Sequence, residues 1–198
     1  MLDFLRASFR EFVKDECATI TLEFVVILPL LVFWFIGSIV FFDAFKKRGQ
    51  VVYANSTIAD IVSRYLRMHT NEIDQLQLLQ TALLPRTSGG WLRITSLQFL
   101  EHDIDDDDDD EYIVIWSQVT GVGHRPIENA DDDLDDDDVL LPIEILPNMY
   151  DSEQVMLVES HVPYIPIADW VGITAKTWRD RVVISPRKRD RVVWAPES

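Results

Sequence analysis

A single carboxylate, Glu23, stands inside an apolar run of 23 residues from Ile20 to Phe42, ITLEFVVILPLLVFWFIGSIVFF. The hydrocarbon core of a bilayer is about 30 Å thick and takes roughly 20 helical residues to cross. The run is therefore long enough to span a membrane. A charge near the bilayer centre costs at least about 2.5–3.5 kcal/mol, and less toward an interface. Glu23 lies close to the start of the run, and an acid in that position calls for a partner. The run itself offers few, its hydroxyls being Thr21 and Ser38. The chemistry implied is charge pairing or hydrogen bonding inside lipid.

Two further groups of acids lie in the second half of the chain. Asp103 to Glu111 holds eight, and Glu128 to Asp138 holds eight more. Removing those 16 from the 34 acids leaves 18, which matches the 18 Lys and Arg, so the net charge of -16 resides entirely in two short runs. A nucleic-acid partner is not expected, because phosphate binding needs clustered cations. Calcium takes roughly six to eight oxygen ligands. Asp105, Asp107, Asp109, Asp133, Asp135 and Asp137 are the candidate ligands for a weak Ca²⁺ site. The spacing lacks the alternation and the glycine of an EF-hand, and homopolymeric charge repels itself into solvated loops. Both readings stand at this point.

His69, His102, His124 and His161 are dispersed. They read as residues at element ends, although His102 with Asp103 and Asp105 makes a possible metal corner. No nucleophile motif, glycine-rich phosphate loop or H-E-x-x-H occurs. Close carboxylate pairs are confined to the acid runs, where exposure spoils the tuned pKa that acid–base catalysis needs. An enzyme is not expected, and no resident cofactor is implied beyond weak Ca²⁺. Cys17 is the sole cysteine, so no intrachain disulfide can form.

The elements that position these groups follow from periodicity. In the leader, Leu2, Leu5, Phe9 and Phe12 fall on one helical stripe, which suits a helix at a membrane surface or a frayed tail. Beyond the span, Val51, Ala54, Ile58, Ile61, Val62 and Tyr65 recur at three- and four-residue spacing. One helix from about Thr19 to about Met68 would be roughly 75 Å long. Its stripe can pack on the rest of the domain or meet neighbouring helices. Asn71 is the expected cap of a second helix with Ile73, Leu76, Leu79, Gln80 and Leu83 on one side, ended by Pro85. Strands are then expected at Trp91–Leu100, Tyr112–Val119 and Val155–Val162, the last ended by Pro163 and Pro166. Shorter strands are expected at Arg181–Ile184 and Arg191–Trp194, joined by a hairpin turn at 186–190. Residues 170–178 read as a short helix or loop. The fold class is α+β: a long N-terminal membrane-spanning helix continuing into a small antiparallel sheet domain.

The run exceeds a secretory h-region of about 7–15 residues and lacks a small-x-small cleavage site, so the span is expected to be retained. Arg6, Arg10 and Lys14 precede it and Lys46, Lys47 and Arg48 follow it. The positive-inside count is a tie and gives no orientation.

The stretch Asp15-Glu16-Cys17-Ala18-Thr19-Ile20-Thr21-Leu22-Glu23-Phe24-Val25, followed by Leu28-Pro29-Leu30, resembles the N-terminus of TadE-like proteins. These are pseudopilins of the tight-adherence (Flp-type) branch of type IV pilus systems. The family pattern is a small residue, then four residues, then Glu followed by an aromatic at the head of a hydrophobic helix. Ala18 takes the small-residue place, where the family usually has Gly, and Glu23-Phe24 completes the motif. The match covers about the first 50 residues.

That resemblance implies cleavage after Ala18 by a prepilin peptidase on the cytoplasmic side, leaving Thr19 as the new N-terminus. It implies that the free amine of Thr19 in a neighbouring subunit pairs with Glu23 as helices stack. It also orients the chain: 1–18 a cytoplasmic leader, 19–68 the transmembrane and extended helix, 69–198 an extracytoplasmic domain with two acidic loops. The chain is then expected to be a single-pass inner-membrane protein with its bulk in the periplasm. Its role would be that of a minor pseudopilin or assembly component, with pilin-like subunits and the assembly platform as partners. The rival expectation is a membrane-anchored extracytoplasmic binding module, possibly calcium-dependent.

Overall fold

Helix α1 runs unbroken for 47 residues, Glu16–Val62, with Pro29 inside it. It is followed by β1 (Arg67–Met68), α2 (Thr70–Leu83), β2 (Trp91–Leu100) and β3 (Glu111–Val119). A 3-10 turn (Ile143–Ile145) then leads to β4 (Gln154–Tyr164), β5 (Lys176–Ile184) and β6 (Val193–Trp194). The computed structural model describes residues 16–84, 90–100, 111–121, 124–127, 143–167 and 172–196. The chain divides into two compact units: Met1–Phe45 with Pro166–Thr174, and Lys46–Ile165 with Ala175–Ser198. The fold is α+β, a long N-terminal apolar helix followed by a small antiparallel sheet.

The sheet has four strands in the order β3-β2-β4-β5, every neighbouring pair antiparallel. Leu92, Ile94, Met156 and Val158 point to one face, where they form a core with Ile58, Ala59 and Val62 of α1 and Ile73 and Leu76 of α2. Leu97, Val155 and Leu157 point to the other face, where Ile127 covers them with Leu146 and Met149 packed alongside. A bulge decides which residues of β3 reach which face. Leu97 pairs with Val114 but its neighbour Ser96 pairs with Trp116, so Ile115 is the extra residue. Side chains alternate faces along a strand, so one inserted residue shifts the parity beyond it. Trp116 thereby reaches the helix side, where its indole N–H donates to the Val192 carbonyl at 2.9 Å.

The stripe of α1 expected from periodicity packs on this sheet within the second unit: Val51, Ala54, Ile58 and Val62 are buried. Ile61 and Tyr65 pack against the same core while staying partly exposed. Asn55, absent from that stripe, is fully buried. Its side-chain amide donates to the Val158 carbonyl at 3.2 Å and to Asp180 Oδ2 at 2.9 Å, fastening the helix to β4 and β5.

Several boundaries differ from the sequence reading. Helix α1 stops at Val62, not near Met68. Its last turn tightens into i→i−3 bonds, Arg64 N to Ile61 O at 3.0 Å and Tyr65 N to Val62 O at 3.1 Å. Met68 instead pairs in β1 with Trp194 of β6, and that pairing is parallel. Residues 191–194 therefore do not form a hairpin with β5. Helix α2 starts two residues earlier than expected, with His69 as its cap instead of Asn71. The Glu72 carboxylate accepts the backbone N–H of His69 there. Strand β4 continues through Pro163, which lies opposite Thr177 in β5. Lys176 to Trp178, expected as helix or loop, is the start of β5. Pro85 and the leader stripe lie outside the described residues.

Candidate functional site

Ala18, Thr19, Glu23 and Phe24 all fall on the first part of α1, so the expected processing and assembly positions share one helix. Thr19 and Glu23 are four residues apart, which places them one turn from each other along that helix. Glu23 is exposed, and among the described residues no cation pairs with it. Ser38 is not its partner. The Ser38 hydroxyl donates to the Trp34 carbonyl one turn back, at 2.9 Å.

Among the described residues, the helix around Glu23 has little protein cover. Phe24 is 62% exposed, Val25 64% and Val26 62%, and consecutive residues point to different sides of a helix. A helix apolar on every side is stable only when something apolar surrounds it. Among the described residues, this is one helix near the N-terminus that is long and apolar enough to cross a membrane. The energetics allow it. The 17 Leu, Ile, Val and Phe residues of the run each favour insertion by at most about 0.3–0.6 kcal/mol. Their sum, roughly 5–10 kcal/mol, exceeds the cost of about 2.5–3.5 kcal/mol for one acid at mid-depth. The cost for Glu23, close to the end of the run, is smaller still.

The second unit holds a charged centre that sequence reasoning missed. Arg93, Glu159 and Arg181 lie directly opposite one another on β2, β4 and β5. Glu159 has no exposed surface and Arg93 almost none. Glu159 accepts from Arg93 Nε at 2.6 Å with one oxygen and from Arg181 Nε at 2.7 Å with the other. Arg93 also donates to the Arg125 carbonyl at 3.3 Å. Beside this triad Trp91 is stacked between two imidazoles, His161 at 3.7 Å and His124 at 4.4 Å between ring centroids. The guanidinium of Arg93 lies 5.5 Å from the Trp91 ring. Two of the four histidines thus serve packing, and a third, His69, caps α2. Desolvating Arg93 and Glu159 offsets much of their attraction, so the pair adds little net stability despite its short contacts.

The candidate calcium ligands Asp105, Asp107, Asp109, Asp133, Asp135 and Asp137 lie outside the described residues, as do His102 and Asp103. Among the described residues no group of three or more His, Cys, Asp or Glu side chains is arranged to hold a metal ion. What the described geometry offers is one uncovered apolar helix bearing an unpaired acid, and a separately cored sheet domain. No family model, curated protein or solved structure matches the chain.

Proposed function

We propose that this chain is a minor pseudopilin or assembly component of a Tad (Flp-type) type IV pilus. It acts by helix packing and partner recognition in the inner membrane, with its sheet domain in the periplasm. The observation that carries the reading is Glu23, exposed on an apolar helix, unpaired among the described residues and five residues beyond Ala18. In lipid that carboxylate needs a cation, and a prepilin peptidase cutting after Ala18 would create one at Thr19. The amine of one subunit then meets the carboxylate of the next, and any other stagger leaves a charge uncompensated in the membrane. Cleavage also brings Glu23 close to a helix N-terminus, where the macrodipole favours an anion. Other pilin-like subunits and the assembly platform are the partners this mechanism requires.

The test is Glu23→Gln in cells that make the pilus. The variant should insert in the membrane at wild-type abundance but co-purify with its partner subunits at least about tenfold less, the effect of losing one ion pair in lipid. Undiminished co-purification and normal piliation would refute the reading.

A further inference from the structure

The turn that follows α1 and the segment between β5 and β6 enclose a cleft of about 750 Å³. Its lining is basic: Arg64, Arg67, Lys188, Arg189 and Arg191, with Glu72 the one acid among the described residues. The fold builds it from three pieces. Arg187 is tied to α1 by its backbone N–H on the Ser63 carbonyl at 2.7 Å and by its guanidinium on Asp60 at 2.8 Å. That contact holds the 185–191 segment beside the turn that ends α1. Strands β1 and β6 form the floor, and the start of α2 contributes His69 and Glu72.

The nearby acids are already engaged. Asp60 holds Arg64 as well as Arg187. Glu72 caps α2 through the His69 N–H. Arg67, Lys188, Arg189 and Arg191 are exposed and make no ion pair with any described residue. Asp190 sits among them in sequence but does not line the cleft. The positive end of α2 adds to the field. The volume lies in the range of sites that enclose multi-atom ligands, about 300–1,000 Å³, larger than one small anion requires. Guanidinium groups favour planar, bidentate acceptors such as carboxylates.

We propose that this cleft receives an acidic run of a second copy of this chain. All of the chain's surplus charge is carboxylate in two runs, and the cleft gathers cations that nothing described neutralises. Copies with a net charge of -16 repel one another unless a complementary surface intervenes. Run and cleft are made of different residues, so a contact between two copies through them is head-to-tail. Such contacts propagate into open filaments where the rotation does not close a ring. The proposal rests on the assembly reading above, but its test needs neither cleavage nor Glu23.

The experiment uses the full chain in a non-ionic detergent, with copies carrying donor and acceptor dyes. One variant reverses the cleft (Arg189→Glu with Arg191→Glu). The other removes three of the eight carboxylates from each run (Asp105→Asn, Asp107→Asn, Asp109→Asn, Asp133→Asn, Asp135→Asn and Asp137→Asn). Wild-type copies should associate at about 0.1 M salt and separate at about 1 M, where the screening length falls to about 3 Å. Each variant alone should associate at least about tenfold more weakly, the effect of losing charge-assisted contacts. Mixed together they should recover association without extending into longer chains, since the cleft-reversed copies offer runs but no cleft and the run-depleted copies offer a cleft but no full run. Association unchanged by cleft reversal overturns the proposal. So does a mixture no stronger than either variant alone, which would place the runs on their own chain or elsewhere. Failure here with a Glu23 effect intact would leave the pilus reading standing.

Discussion

Glu159 has no contact with water, and two guanidinium groups divide its oxygens. Replacing it with Ala removes a carboxylate that accepts from the buried Arg93. The expected loss is about 3–5 kcal/mol, the usual penalty for removing one member of a buried pair. Urea unfolding of the detergent-solubilised chain, followed by tryptophan fluorescence, measures it. Tyr65 makes a second prediction at this scale. Its hydroxyl is pushed above the usual value of 10.0, first by burial and then by the nearby Glu72 carboxylate. The unfolded chain therefore releases this proton at lower pH than the folded one. Above pH 10 the folded state holds more protons, so stability falls as pH rises through that window. Tyr65→Phe should flatten the alkaline limb of a melting-temperature profile while leaving it unchanged below pH 9. Glu23 was legible in the sequence because a lone acid in an apolar run has no local explanation. Glu159 was not. A charge in a β-rich stretch reads as an outward-facing residue, and its burial comes from strands 66 and 22 residues away in sequence.

At the scale of elements, the strands and helices with strong periodicity were readable, and β2 was read to its last residue. Readings failed where the partner was distant. The β1–β6 pairing joins two-residue strands at opposite ends of the domain, and no local pattern announces a parallel contact of that kind. Lys176 to Trp178 looked irregular because charge and aromatic residues mix there. Yet Trp178 is held from one side by Lys176 Nζ at 3.8 Å from the ring centroid, and Arg48 lies 5.5 Å from the same ring. The α1 stripe was legible, but whether it faced a sheet or another helix was not. The structure places Ile58, fully buried, in the core between α1 and the sheet. Ile58→Ala should destabilise the domain by about 2–5 kcal/mol, through lost apolar burial and the cavity left behind. Val52→Ala, on the exposed side, should change stability by less than about 0.5 kcal/mol. Thermal unfolding of the two variants side by side checks the direction in which the helix faces.

At the scale of the whole molecule, charge and apolarity are separated along the chain. One stretch is hydrophobic on every side, two short runs carry all the surplus acid, and the remainder is balanced. This partition was visible in composition alone, because it needs no knowledge of contacts. The basic cleft was not. Its cations come from the turn and short strand after α1 and from residues 188–191, which only the fold brings together. The account as a whole depends on Glu23 acquiring a neighbour's amine, and that amine exists only after processing. Intact-mass measurement of the membrane-extracted protein from its native cells tests this most directly. The account predicts a mature chain that begins at Thr19 and lacks residues 1–18. A chain that retains those residues in the assembled state would contradict it.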